Sequence, residues 1–247
     1  SYYIIMNKLK ILKVKDKSEK HYIHNGKLFD LPSSIIICGR SLISGKSSII
    51  LNIILRPEFK FGKHFKGENI YIVSPSTDTD YKLKTLIKQK DIPESNIFTE
   101  YSEEGLEAVS DHIREVYEED KSIHQLIIFD DASYSGVFKK KRFGVLAKMF
   151  QNSRHEQLSI IATTQTYTDI GNNLRSNSNI LILFGTSDRI LDTIADENAY
   201  AMSKKAFKQM FKKYTKKKHS FIVINYQNNI EERYLDSDFN PIDIDNL

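Results

Sequence analysis

Gly39, Gly45, Lys46 and Ser47 lie between two apolar runs, Ser34 to Cys38 and Ile49 to Leu55. A glycine turn closed by lysine and a hydroxyl residue, set between a strand and a helix, is suited to holding phosphates. The glycines let backbone amides approach phosphate oxygens, and the helix N-terminus behind them favours negative charge. Lys46 is placed to reach the β- and γ-phosphates of ATP, and Ser47 to ligate Mg2+. The whole loop, Gly39, Arg40, Ser41, Leu42, Ile43, Ser44, Gly45, Lys46, Ser47 and Ser48, is therefore the expected nucleotide cradle.

Such a loop needs an acid on a nearby strand to hold the metal. "QLIIFDDAS" offers Asp130 and Asp131 after four apolar residues, at the strand end where open α/β sheets place ligands. Asp130 would hold the metal with Ser47, and Asp131 would orient or deprotonate the attacking water. Paired acids after a strand also serve as helix caps, so the pair gains meaning only beside the loop. In "LSIIATTQTY" the strand runs into Thr163, Thr164 and Gln165. An amide there either contacts the γ-phosphate or the lytic water, or is a simple turn residue.

The elements that must position these groups alternate along the chain. Strands are expected at 35–38, 69–73, 96–99, 125–129, 158–162 and 180–184, all apolar and short. Helices are expected at 47–55, 81–90, 104–119, 143–151 and 188–199. A further helix carries Phe207, Met210, Phe211 and Tyr214 as one stripe, with lysines on its other face. Residues 219–226 and 230–234 read as a closing hairpin. Continuous apolar strands alternating with helices predict an α/β fold, a mainly parallel central sheet with helices on both faces. The early "KLKILKVK" alternates as an exposed edge strand does. One domain is expected, with 1–33 as a strand-rich extension, 34–200 as the core, and 201–247 as a basic helix, hairpin and acidic tail.

With 247 residues, 40% hydrophobic and 28% charged, the chain fits a folded globular protein. No apolar run approaches the roughly 18 residues that span a bilayer, so no direct membrane insertion is expected. The single cysteine, Cys38, excludes an internal disulfide framework and a cysteine zinc site, which favours an intracellular location. Net charge is only +4, yet residues 204–219 carry eight lysines and no acid, while 231–245 carry six acids and one arginine. Lys139, Lys140, Lys141 and Arg142 form a second basic cluster. These runs are either solvated faces or surface for a polyanion.

Taken in order, the loop, the Asp130-Asp131 strand, Arg154-His155, Thr163-Thr164-Gln165 and "NNLRSNSNILILFGTSDRILDTI" resemble the FtsK–HerA superfamily of DNA-pumping ATPases. Within it the chain is similar to the poxvirus-type genome-packaging ATPases of large DNA viruses and virophages, over roughly residues 34–199. The resemblance implies a RecA-like P-loop NTPase fold and a homo-oligomeric ring, a hexamer by expectation. It also implies double-stranded DNA and a capsid or other packaging protein as partners, in the host cytoplasm, a viral factory or the virion. Lys46 and Ser47 match the nucleotide loop, Asp130 and Asp131 the metal and water acids, and Gln165 the sensor glutamine. Arg154 matches an arginine suited to reaching a neighbouring subunit's nucleotide, with Arg175 as the other candidate. Lys139 to Arg142 would then face the ring pore, and the lysines of 204–218 would either join them or keep the ring soluble. Cutting and tethering of DNA are expected to fall to other proteins.

The function expected is ATP-driven translocation of double-stranded DNA into a capsid. A helicase or conjugation-type motor of the same fold is the enzyme alternative. A nucleotide-switched scaffold with little hydrolysis is the non-motor alternative.

Overall fold

A computed structural model describes residues 18–26, 28–41, 44–131, 136, 138, 144–200 and 202–244. The strands are β1 (Ser34–Cys38), β2 (Ile70–Val73), β3 (Ile97–Phe98), β4 (Gln125–Phe129), β5 (Leu158–Thr164), β6 (Ile180–Phe184), β7 (Phe221–Asn225) and β8 (Tyr234–Leu235). They form one sheet in the order β3-β2-β4-β5-β1-β6-β7-β8. The first six are parallel, and β7 and β8 add antiparallel beside β6.

The helices are α1 (Lys46–Leu55), α2 (Tyr81–Lys90), α3 (Glu103–Glu119), α4 (Val145–Asn152), α5 (Asn172–Ser176), α6 (Asp188–Asn198) and α7 (Lys204–Tyr214). Because side chains alternate along a strand, β1 sends Ile36 and Cys38 into one core layer and Ile35 and Ile37 into the other. The first layer is closed by α3, α4, α6 and α7, through residues such as Ile113, Met149, Leu191 and Phe211. The second is closed by α1 and α2, through Ile50, Ile53, Ile54 and Leu86. A parallel strand buried on both faces has no polar side to show. That is why these segments read as unbroken apolar runs.

The second hairpin arm is shorter than the expected 230–234. Ile230–Glu232 forms a 3-10 turn, and only Tyr234 and Leu235 pair with β7. Ile230 is exposed and two glutamates follow it, so this stretch has nothing to bury by pairing. The "KLKILKVK" edge strand lies outside the described residues.

The lysine face of α7 is also less free than its composition implies. Lys204, Lys208 and Lys212 reach across to Asp196, Asp192 and Asp188 on α6, one pair per helical turn. The ladder cross-links two surface helices, although water and salt screen each rung and keep its contribution small.

Candidate active site

All parallel strands end at one edge of the sheet, and the chemistry gathers there. β1 runs straight into the loop, where Gly39 N–H donates to Thr164 O at the end of β5 (3.0 Å). Five residues separate Gly39 from Gly45, one more than the G-x-x-x-x-G-K-[ST] pattern. Arg40 therefore occupies the pattern's first glycine position. Its carbonyl accepts from both Ser44 N–H (3.2 Å) and Ser44 Oγ (2.6 Å), which closes the loop on itself. Gly39 is needed for close approach: a Cβ there would sit 2.6 Å from Ser44 Cβ and 2.7 Å from Phe184 Cδ2. Gly45 has φ of 94°, a left-handed conformation that favours glycine, and it starts α1. Leu42 and Ile43 lie outside the described residues.

Lys46 is buried, and its Nζ donates to Gly39 O (2.9 Å). Ser47 and Ser48 follow it in the first turn of α1, which has no acidic side chain there to compete with a phosphate. At the end of β1, burial in the core pushes the Cys38 thiol up to about 12, so it stays neutral.

The sheet brings Asp130, Asp131 and Gln165 together through Thr163, a residue whose role is not visible in the sequence. Thr163 Oγ1 donates to Asp130 Oδ1 (2.8 Å) and accepts from Asp131 N–H (2.8 Å). Gln165 Nε2 donates to Asp131 Oδ1 (3.3 Å). Asp131 has φ of 52°, which turns its backbone off the strand and toward Thr163. The Thr-Thr-Gln run signalled Gln165 but not the bridge by Thr163: β4 and β5 are neighbours, so their ends must meet.

Burial raises the carboxyl pKa of Asp130 from its ordinary value; the hydrogen bond from Thr163 opposes the shift, while Asp131 and Asp80 add to it. Asp80 caps the N-terminus of α2, accepting from Lys82 N–H (2.7 Å), and with Ser76 it lines the same cavity. Neither stands out in the sequence. The Ser74-Pro75-Ser76 turn at the end of β2 is the available cue.

Asp130 is a buried carboxylate whose charge Asp131 and Asp80 further disfavour, so a cation beside it would be stabilising, and Ser47 lines the same cavity. Magnesium keeps several waters and takes few protein ligands, so one carboxylate and one hydroxyl suffice beside phosphate oxygens. Asp130→Asn is expected to raise the melting temperature at neutral pH while abolishing hydrolysis. The sign follows from the raised folded-state pKa: ionising Asp130 costs stability above that value. The cost fades as pH falls through it to the unfolded-state value. Thermal unfolding of both proteins across pH checks this, since the gap must close in acid.

Arg154 and Arg175 are elsewhere. Arg154 sits in the 3-10 turn Ser153–Glu156, exposed, at the opposite end of β5 from Gln165. Arg175, at the end of α5, donates to Glu197 through Nε (2.9 Å) and Nη2 (2.5 Å) and stacks over Tyr167 at 4.7 Å. Both line a cavity of about 600 Å³ on that far edge, with Arg233. Lys139, Lys140, Lys141 and Arg142 lie outside the described residues.

A mainly parallel sheet with a phosphate loop after β1, paired acids after β4 and a threonine and glutamine at the end of β5 that hydrogen-bond them defines a P-loop ATPase of RecA type. The family profile "Poxvirus A32 protein" matches residues 19–237, and the chain belongs to that family. No curated protein sequence matches it. Among solved structures it is similar to the genome packaging NTPase B204 from Sulfolobus turreted icosahedral virus 2. In complex with ATP-gammaS, that protein aligns at 18% identity over 79% of this chain and 92% of its own, with a TM-score of 0.55. With AMP the values are 16%, 85%, 98% and 0.57. B204 from Sulfolobus Turreted Icosahedral Virus, described as its DNA-packaging ATPase, gives 18%, 80%, 94% and 0.50. At these identities the likeness is one of fold.

Proposed function

We propose that the chain hydrolyses ATP to drive double-stranded DNA into a viral capsid, as one subunit of a ring. The observation that carries the chemistry is the series of hydrogen bonds from Asp130 through Thr163 and Asp131 to Gln165, beside the loop and Lys46. Membership of the A32 family and the likeness to packaging ATPases support the choice of DNA as substrate. Among the described residues no helix is long and apolar enough to cross a membrane. The place of action is the site of virus assembly in the host cell.

In this reading the loop amides and Lys46 hold the phosphates and offset their charge. Ser47 and Asp130 would hold Mg2+, which would offset negative charge on the phosphates. Asp131 accepts a hydrogen bond from the attacking water and takes its proton as oxygen bonds to the γ-phosphorus. The bond from that phosphorus to the β–γ bridging oxygen breaks, and ADP leaves with the electron pair. Gln165 fixes the Asp131 carboxylate and reports the state of the γ-phosphate to β5.

Hydrolysis must also reach the DNA. Phe138 packs edge to face on Phe129, the last residue of β4, at 5.9 Å, and its carbonyl accepts from Gly171 N–H (2.8 Å). The run Lys139 to Arg142 begins at the next residue, so its root is tied to the strand that carries the acids. Such lysines and arginines bind phosphates, without reading sequence.

Replacing Lys139, Lys140, Lys141 and Arg142 together should flatten the salt dependence of duplex binding by a few units, roughly 0.9 for each phosphate no longer neutralised. Fluorescence anisotropy across a salt series measures this, and an unchanged slope would remove the segment from the DNA path. The function itself is tested by adding duplex to the ATPase reaction. Several-fold stimulation without strand displacement is the packaging result. Displacement would indicate a helicase, and no stimulation a scaffold.

A further inference from the structure

The cavity over the phosphate loop, about 620 Å³, has two unlike ends. Toward β4 it is walled by Asp130, Asp131 and Ser76, and toward β7 by Phe184, His219 and Phe221. The chemistry proposed above uses only the first end.

Phe184 closes β6, Phe221 opens β7, and the two are register partners. Their rings meet edge to face at 5.3 Å, and Phe184 is also the ring packed against Gly39. His219 comes from the turn between α7 and β7, with φ of 67°. Its Nδ1 is 3.3 Å from Ser44 O and would be 3.8 Å from a Cβ on Gly45. The turn is brought there by close packing: a Cβ on Gly185 would lie 3.1 Å from Thr215 O, so the end of α7 rests on the end of β6. An exposed imidazole and two nearly buried phenyl rings thus flank the loop on the side away from the acids.

Sheet order fixes what should lie between them. With the γ-phosphate at the acids after β4, the polyphosphate passes over β1 and leaves toward β6 and β7. The part of a nucleoside triphosphate remaining at that end is its ribose and, beyond it, the planar base. We propose that His219, Phe221 and Phe184 form the seat for the nucleotide base, an inference that rests on the ATPase reading above. Rings grip a base by its π-face and distinguish bases weakly, so the seat accepts adenine and guanine alike.

Isothermal titration with ATP, GTP and inorganic tripolyphosphate tests this on the full chain. His219→Asn keeps a residue that tolerates the left-handed backbone, and Phe221→Leu keeps an apolar strand start. Each should weaken ATP and GTP about tenfold, the effect of removing one stack, and leave tripolyphosphate unchanged. If tripolyphosphate weakens in step with ATP, these residues only shape the loop and the seat is wrong. Unchanged ATP affinity in both variants overturns it as well. A parent chain that binds tripolyphosphate and ATP equally well also overturns the seat, while leaving the phosphate loop intact. One that binds neither ligand overturns the ATPase reading together with the seat.

Discussion

Lys46→Ala is expected to reduce ATP hydrolysis by about 10²–10³-fold or more, the scale of losing one preorganised charge-stabilising donor. Lys46 is buried, opens α1 and already turns its Nζ back toward the loop backbone at Gly39 O. No other lysine or arginine side chain among the described residues closes over the loop in this way. Lys82 lines the cavity from α2 but is exposed. Removing Lys46 should therefore weaken nucleotide binding and turnover together. Asp131→Asn should behave differently, because the loop and Lys46 are untouched. Nucleotide should still bind, turnover should fall by about 10²–10⁴-fold as general-base catalysis is lost, and the ATP-bound assembly should accumulate. Single-turnover hydrolysis beside equilibrium nucleotide binding separates the two variants. Wild-type turnover by Asp131→Asn would remove Asp131 from the water-activating role.

Much of this site was legible because a parallel sheet converts sequence order into spatial order. Asp130 and Gln165 are far apart in the chain, yet each ends a strand, and β4 and β5 are neighbours in register from Gln125 and Leu158 onward. Apolar runs ending in polar residues were therefore enough to bring them to one edge. Thr163 lies in the same run, but its bridge between the acids depends on how two strand ends face each other. No periodicity carries that information.

What was not legible has physical reasons as well. The α7 lysines look like a free polyanion surface because a run of like charge does not name its partners. The partners, Asp188, Asp192 and Asp196, lie on α6 at matching helical intervals. Likewise His219 follows three lysines in a polar turn and has nothing local to suggest a role beside the phosphate loop. Only the antiparallel return of β7 beside β6 brings it there.

The other large effect is expected at Arg154, and it depends on more than one subunit. β5 is seven residues long, so at about 3.3 Å per residue its two ends are about 23 Å apart. Arg154 precedes one end and Gln165 follows the other, so Arg154 cannot serve the γ-phosphate of its own chain. The turn that carries it is well held. Ser153 Oγ donates to Phe150 O (3.1 Å), Tyr22 OH donates to Arg154 O (3.3 Å), and Glu156 is paired with Arg114 (3.6 Å). Glu156 is thus engaged elsewhere, and the Arg154 side chain is presented outward from a fixed base. Arg175 is a poorer candidate, since its guanidinium is committed to Glu197 and Tyr167. Replacing it should chiefly lower the melting temperature. An arginine supplied in trans is worth about 10³–10⁵ in rate, so Arg154→Ala alone should be nearly inactive. Lys46→Ala alone should be inactive for a different reason. Mixed, the two should regain activity, because some interfaces then combine an intact loop with an intact Arg154. Normal DNA-stimulated hydrolysis by Arg154→Ala would remove it from the shared site. If each variant is inactive alone and the mixture stays inactive while mixed assemblies form, the shared-site ring is what must be abandoned.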